Sequence, residues 1–146
     1  MEVYYHSVGR GAVLLLNHTP DPSGRIPEGD ARRAAEFGAE IKRRFGHSLA
    51  EAQGGGNVVE LKLGRPSRID HAITMEDIAE GQRVAEYVLE GLRGDDWGTL
   101  AAGSTIGYKK IDRFDPVTVT AVRLRITESL EVPVIRRMAV QGDAEK

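Results

Sequence analysis

The sequence predicts a mainly β protein, an antiparallel β-sandwich or jelly roll preceded by a strand–helix unit. An unbroken apolar run at residues 12–16 is followed by a proline- and glycine-rich loop, and then by apolar residues at helical spacing. After the glycine-rich stretch 53–57, apolar residues recur with a period of two. Short alternating segments continue to the C-terminus, separated by Gly, Pro and Asp turns. This change of period indicates two parts of different architecture.

The N-terminal part, residues 1–49, is predicted to contain one strand followed by one helix. Residues 3–8 are expected to end a preceding helix, and Gly9-Arg10-Gly11 fits a turn because glycine tolerates positive φ. Residues 12–16 carry no polar side chain on either face, which is typical of a parallel strand covered on both sides. Such a strand needs neighbours that the chain does not supply upstream, so the chain reads as the tail of something larger.

A helix is predicted over residues 27–45. Its apolar face is formed by Ala34, Phe37, Ile41 and Phe45, which recur at spacings of three and four. Gly46 then fits a left-handed C-terminal cap. The strand and this helix together make one βα unit.

Residues 50–57 are predicted to be a glycine-rich linker, residues 58–141 the sandwich, and residues 142–146 a disordered polar tail. The alternation of Val59, Leu61 and Leu63 with charged residues predicts a first strand that ends at Gly64-Arg65-Pro66. Further strands are expected within residues 69–75, 84–92, 105–114, 122–126 and 134–140.

The composition argues against several classes of partner and site. The net charge is −2 and the isoelectric point is near 6.1, so no electrostatic case exists for a nucleic-acid partner or an anionic membrane. No apolar stretch approaches the roughly 18 residues of a membrane span. The chain has no cysteine, which excludes disulfides, a thiol nucleophile and a Cys-ligated zinc. The four histidines lack paired spacing, so neither a metal nor another cofactor is predicted.

Four quoted segments carry a resemblance to one enzyme family. The stretch YYHSVGRGAVLLLNHTPDPSGRIPEGDARRAAEFGAEIKRRFG resembles the last strand and helix of the catalytic barrel of α-L-fucosidases, glycoside hydrolase family 29. The stretches VVELKLGRPSRIDHAITMEDIAEGQRVAEYVLEG, GSTIGYKKIDRF and VRLRITESLEVPVIRRMAV resemble the C-terminal sandwich of the same enzymes, which is galactose-binding-like and related to discoidin domains. The resemblance implies that residues 1–49 are the incomplete remnant of a (β/α)8-type barrel.

The resemblance also implies what the parent enzyme does. It would remove terminal α-L-fucosyl residues with retention of configuration, using two carboxylates that lie in barrel segments upstream of this chain. No catalytic residue is therefore predicted here. The pairs Glu76-Asp77 and Asp95-Asp96 do not substitute, because neighbours in a strand point to opposite faces and neighbours in a turn face water. The chain is expected to be an inactive structural accessory domain; the alternative is a stand-alone carbohydrate-binding module.

Five residues are candidates for contact with carbohydrate. Asn17 and His18 fall at the C-terminal end of the predicted barrel strand, where such barrels build their active sites, although Asn17 also fits a loop cap. Trp97, Tyr108 and Arg83 lie in or beside predicted loops, and aromatic faces with nearby polar groups suit sugar rings. The alternative for both aromatic residues is packing inside the sandwich.

Two further expectations concern burial and partners. His71 alternates with Ile69 and Ile73, so it is predicted to be a core histidine with satisfied hydrogen bonds. The expected partner is a fucosylated glycan, bound through the missing catalytic domain. The uncovered strand at residues 12–16 also predicts self-association.

Overall fold

The fold was analysed in a computed structural model, which describes residues 1–142. The tail predicted at 142–146 therefore lies, apart from Gly142, outside the described residues. The elements are α1 (Glu2–His6), a 3₁₀ helix (Val8–Arg10), α2 (Glu28–Phe45), β1 (Ala50–Gly55), β2 (Val58–Glu76), β3 (Val84–Arg93), β4 (Asp96–Ser104), β5 (Lys110–Ser129) and β6 (Val134–Gln141). Neither described α-helix has the length and apolarity needed to cross a membrane.

The strands pair in the order β1-β6-β2-β5-β3-β4, and every pairing is antiparallel. The two long strands, β2 and β5, pair with each other along most of their length, with register shifts between Lys62 and Ser67 and between Ile69 and His71. Residues 58–62 of β2 pair with residues 121–125 of β5, and this part of β5 also pairs with β3. Residues 71–76 of β2 pair with β6. β2 and β5 thus run through both layers of a β-sandwich, and the predicted mainly β fold class is confirmed.

The main core fills the space between the two layers. Its fully buried side chains come from β2, β3, β5 and β6 and include Ile69, Leu89, Val122, Leu124, Ile135 and Met138. The core also contains one polar pair, in which the Tyr87 hydroxyl donates a hydrogen bond of 2.8 Å to Asp112 Oδ2. Burial raises the pKa of both the Tyr87 hydroxyl and the Asp112 carboxyl, because the low-dielectric interior disfavours the phenolate and the carboxylate.

A second apolar cluster covers the outer face of the layer that contains β6. Ile73, Ile111 and Ala139 of the sheet contact Tyr4 and Tyr5 of α1 and three residues of α2, which are Phe37, Ile41 and Phe45. These three confirm most of the apolar face predicted for the helix. Ala34, the fourth, is exposed, so the N-terminal half of α2 extends beyond the sheet.

His71 joins this cluster to the sheet by hydrogen bonds. Its Nδ1 lies 2.6 Å from the Asp70 carboxylate and its Nε2 lies 2.8 Å from the Tyr5 hydroxyl. Because a carboxylate only accepts, Nδ1–H donates to Asp70 and Nε2 accepts from Tyr5. Arg44 of α2 also donates to the Tyr5 hydroxyl, at 3.2 Å. The prediction of a buried, satisfied core histidine is confirmed.

The predicted strand at residues 12–16 is wrong. Residues 12–20 have no regular secondary structure, and Val13 and Leu15 are 91% and 82% exposed. A strand forms only where a second strand pairs with it, and no described strand reaches this segment. The cap at Gly46 also differs from the prediction, because its φ is −69° and its conformation is right-handed.

Three further expectations about strands require correction. Residues 50–57 are not simply a linker, since β1 occupies 50–55 and pairs with β6. β2 does not end at residues 64–66 but continues to Glu76, absorbing that stretch in a register shift. β4 was not predicted, and the strand expected from residue 105 begins only at Lys110.

Candidate functional site

Asn17 and His18 follow the exposed apolar segment and are themselves exposed. Neither forms a hydrogen bond, an ion pair or a ring contact with any residue that the structure describes. The loop cap considered for Asn17 is therefore absent within residues 1–142. The two side chains are open to solvent, and the chain offers no partner that fixes them.

The side chain of Arg83 forms hydrogen bonds within the loop between β2 and β3 and to the turn between β5 and β6. Its Nη1 donates to the carbonyl oxygen of Val132 at 2.9 Å, and its Nη2 donates to the Glu80 carboxylate at 2.8 Å. These two hydrogen bonds use two of the five N–H donors of the guanidinium and connect the loop before β3 to the turn before β6. A role of Arg83 in contact with carbohydrate stays a prediction.

Trp97 lies near the start of β4, opposite Leu92 of β3. Its half-buried ring carries the Arg123 guanidinium 4.3 Å from the ring centre, a cation–π arrangement. Arg123 Nε donates at 2.6 Å to the buried Glu90 carboxylate, whose pKa it lowers by this hydrogen bond. Trp97 is thus part of an ionic and aromatic cluster on the sheet surface, and it belongs to neither apolar core.

Tyr108 occupies the turn between β4 and β5 and is 55% exposed. The Arg136 guanidinium lies 4.6 Å from its ring centre, and Arg136 Nη2 also donates to the Tyr108 carbonyl oxygen at 3.0 Å. The expectation that Tyr108 packs inside the sandwich is wrong. Its ring is fixed by one cation and is otherwise open to solvent.

An open cleft of about 450 Å³ adjoins Tyr108. Three chain segments form it: the last residue of the 3₁₀ helix with the residue after it, the loop between β2 and β3, and the turn between β4 and β5 with the adjoining ends of both strands. Its polar lining comprises Arg10, Gln82, Ser104, Thr105, Tyr108 and Lys110. These positions are far apart in sequence, and only the pairing of the strands brings them together.

Glu76 ties two of these segments to each other. Its fully buried carboxylate accepts backbone N–H groups from Arg83 at 2.6 Å, Val84 at 3.1 Å and Gly107 at 3.3 Å. A buried carboxylate with several N–H donors is stabilised without a cationic partner. The loop before β3 and the turn before β5 are therefore fastened to a common point behind the cleft.

The backbone of the β4–β5 turn is also constrained. Thr105 has a φ of 51° and is the only non-glycine residue with positive φ among residues 1–142. Gly107 has a φ of 62°, and a Cβ at this position would collide with the side-chain amide of Gln82. Strained conformations of this kind persist only where the surrounding structure enforces them.

The three buried carboxylates of residues 1–142 have separate structural partners. Glu90 pairs with Arg123 and Arg125, Asp112 with Tyr87, and Glu76 with backbone N–H groups. Within residues 1–142 no group of three or more His, Cys, Asp or Glu side chains is arranged to hold a metal ion.

The chain is similar to plant proteins along its sequence, although no protein-family model matches it. A rice protein (Oryza sativa subsp. japonica) that carries the name α-L-fucosidase 1 is 28% identical over 180 residues, covering 99% of this chain and 35% of the relative.

Solved bacterial structures resemble the fold more closely. A Bacteroides thetaiotaomicron protein described as an α-L-fucosidase superposes with a TM-score of 0.93 at 40% identity, covering 97% of this chain and 33% of that chain. A glycoside hydrolase 29 family member from an unknown rumen bacterium superposes with a TM-score of 0.87 at 31% identity, covering 99% of this chain and 28% of that chain. The chain thus spans about a third of the length of these relatives.

Proposed function

We propose that this chain, which belongs to the α-L-fucosidases of glycoside hydrolase family 29 and corresponds to their C-terminal part, is the non-catalytic accessory portion of such an enzyme. The enzyme would hydrolyse terminal α-L-fucosyl residues of glycoconjugates with retention of configuration. The portion described here would brace the catalytic barrel, to which residues 1–49 contribute the last βα unit.

One observation carries the proposal: the similarity extends over nearly the whole chain, yet covers only 33% of the Bacteroides thetaiotaomicron protein. Retaining glycosidases need two carboxyl groups about 5–5.5 Å apart, facing one substrate. The buried carboxylates of Glu76, Glu90 and Asp112 instead have separate structural partners. This commitment supports a catalytic centre built from the remaining two thirds of the enzyme.

The surfaces left uncovered support the bracing role. Val13 and Leu15 expose apolar side chains, while Leu14 between them contacts the second cluster. A segment anchored on one side and apolar on the other is suited to receive a neighbouring strand. In a completed barrel, Asn17 and His18 would follow that strand at its C-terminal end, where they would face the sugar.

A chimera tests this role. The matched third of the Bacteroides thetaiotaomicron protein is replaced by this chain, and hydrolysis of 4-methylumbelliferyl α-L-fucoside is measured. We expect the chimera to hydrolyse the fucoside and the chain alone to be inactive. Val13→Asp with Leu15→Asp should abolish the activity of the chimera, whereas Leu130→Asp, a matched exposed leucine in the β5–β6 turn, should not. Turnover by the chain alone at enzyme-like rates would overturn the proposal.

The second candidate function, a carbohydrate-binding module, is favoured by the exposed Tyr108 ring beside the cleft. A module should bind sugar without the barrel, whereas a brace has no need to. Binding of a sugar by the isolated chain would therefore support the module, and it would not exclude the bracing role, which the chimera tests.

A further inference from the structure

We propose that the cleft beside Tyr108 binds an acidic saccharide, with a sugar ring on the tyrosine and a carboxylate or sulfate group facing Arg10 and Lys110. This site rests on the second candidate function, the carbohydrate-binding module, and names its ligand class; it is independent of the bracing role, which the chimera tests separately.

The aromatic side of the cleft is fixed before any ligand arrives. Arg136 contacts the Tyr108 ring and donates a hydrogen bond of 3.0 Å to its carbonyl oxygen. Arg136 Nε also donates to the Glu76 carbonyl oxygen at 3.3 Å, so the same guanidinium connects the turn to the end of β2. A ring held in this way loses little conformational freedom on binding. Its exposed surface is apolar enough to stack on the C–H face of a sugar.

The polar side of the cleft has unused hydrogen-bonding capacity. The side chains of Gln82, Ser104 and Thr105 form no hydrogen bond with any residue in the described part of the chain, and the same holds for Arg10 and Lys110. An amide and two hydroxyl groups provide both donors and acceptors, which sugar hydroxyls require. Their convergence beside an open aromatic ring is the arrangement expected of a saccharide site.

The charge of the lining selects an acidic ligand. Arg10 and Lys110 are both cationic, and none of the cleft-lining residues is acidic. Two buried carboxylates have other partners: Glu76 accepts backbone N–H groups, and Asp112, which interacts electrostatically with Lys110, accepts the Tyr87 hydroxyl. Two cations that line one cavity and form no ion pair within residues 1–142 favour a ligand that brings a negative charge. A carboxylate also matches the fork of an arginine in two hydrogen bonds.

The site depends on the docking of the N-terminal turn. Gly11 has a φ of 80°, and a Cβ there would lie 3.4 Å from the Lys109 carbonyl oxygen. A Cβ at Gly9 would likewise lie 3.4 Å from Ile111 Cβ. The backbone on both sides of Arg10 therefore lies close to the start of β5, so the cleft combines residues of both predicted parts of the chain.

The test is a titration of the full chain, followed by the chemical shifts of its backbone amides. The probes are digalacturonate, galactose 6-sulfate and neutral galactobiose at low salt. We expect an acidic probe to bind at least about tenfold more tightly than galactobiose, with shifts concentrated at residues 104–110, because a tenfold ratio needs only about 1.4 kcal/mol of differential interaction. Added salt should weaken binding, since exposed charges are screened.

Variants assign the two halves of the site. Tyr108→Ala should weaken every probe, whereas Arg10→Ala with Lys110→Ala should weaken the acidic probes and leave galactobiose unchanged. Lys62→Ala, an exposed cation on β2 away from the cleft, is the matched control and should change nothing. Arg10, Lys62 and Tyr108 are exposed, and Lys110 is half-buried at the first residue of β5, so an unchanged amide spectrum away from the substituted positions shows that the fold is intact. Equal binding of acidic and neutral probes, or no binding of any probe, would overturn the proposal; which acidic probe binds distinguishes carboxylate from sulfate.

Discussion

At the scale of single residues, the buried acids of this chain are stabilised in different ways. Glu90 is paired with two arginines, while Asp112 receives a tyrosine hydroxyl. Glu76 has only backbone donors, drawn from two separate segments. The cost of burying its charge is offset by three backbone N–H donors, which its two carboxylate oxygens accept together.

The Glu76→Gln variant tests this role. An amide replaces one accepting oxygen by a donor, which faces a backbone N–H group and leaves it unsatisfied. We expect the free energy of unfolding to fall by about 2–3 kcal/mol in urea denaturation, since hydrogen bonds to charged groups contribute about 1.5–3 kcal/mol. Glu80→Gln, an exposed neighbour paired with Arg83, should cost about 0.5 kcal/mol or less. Equal effects of the two substitutions would contradict the assigned role.

The pKa of Tyr87 gives a prediction for alkaline pH. Burial raises this pKa above its ordinary value of 10.0, and the Asp112 charge adds to the effect. The folded state therefore keeps a proton that the unfolded state releases. This contribution to stability is complete below pH 10 and is lost as pH rises above it. Unfolding measured between about pH 9 and 11 should show a steeper loss for the wild type than for Tyr87→Phe; parallel curves would refute the prediction.

At the scale of elements, the presence of a partner strand explains where strands form better than the amino-acid composition of each segment does. β4 was missed because DWGTLAAGS is rich in small residues, and it forms because β3 offers a full partner edge. The glycines of β1 predict a linker, yet the segment pairs with β6. Residues 12–16 have the strongest strand composition and form no strand, since no described strand pairs with them. Helix α2 was predictable because its apolar periodicity is local information.

The exposed apolar segment predicts self-association, which remains to be tested. The apolar side chains of Val13 and Leu15 are exposed to solvent, so we expect two copies of the chain to associate through residues 12–16. The variant Val13→Ser with Leu15→Ser should remain monomeric at concentrations where the wild type associates, as measured by light scattering. Leu130→Ser removes a leucine that is also 82% exposed, and it should leave association unchanged. A monomeric wild type at high concentration would contradict this expectation.

At the scale of the whole molecule, the cleft could be predicted only in part. Tyr108 was selected from sequence because an aromatic residue in a turn is conspicuous. Arg10, Gln82 and Thr105 gave no signal, since they lie in three segments that meet only after β2, β3 and β5 pair. Arg83 and Trp97 also looked suitable, and they contact Glu80 and Arg123. Local patterns identify residue types, while the sheet decides which of them converge.

The boundary of the sandwich gives a prediction about truncation. A variant that begins at Ser48 keeps β1, whose Ala50 and Ala52 pack against the main core and whose Glu51 pairs with Arg137. A variant that begins at Asn57, close to the predicted domain start, loses this edge. We expect the first to unfold cooperatively in urea and the second to be less stable by several kcal/mol, because it exposes part of the core and an unpaired edge. Equal midpoints would mean that β1 is dispensable.

The pairing of β1 with β6 has a mechanical consequence for the junction between helix and sandwich. A run of glycines at such a junction would normally act as a swivel, allowing the two sides to reorient independently. Here Gly54 and Gly55 belong to β1, which pairs with β6 from Ala50 opposite Val140 to Gly55 opposite Val134. The glycines therefore do not act as a swivel, and the connection between α2 and the hydrogen-bonded sheet is shortened to residues 46–49.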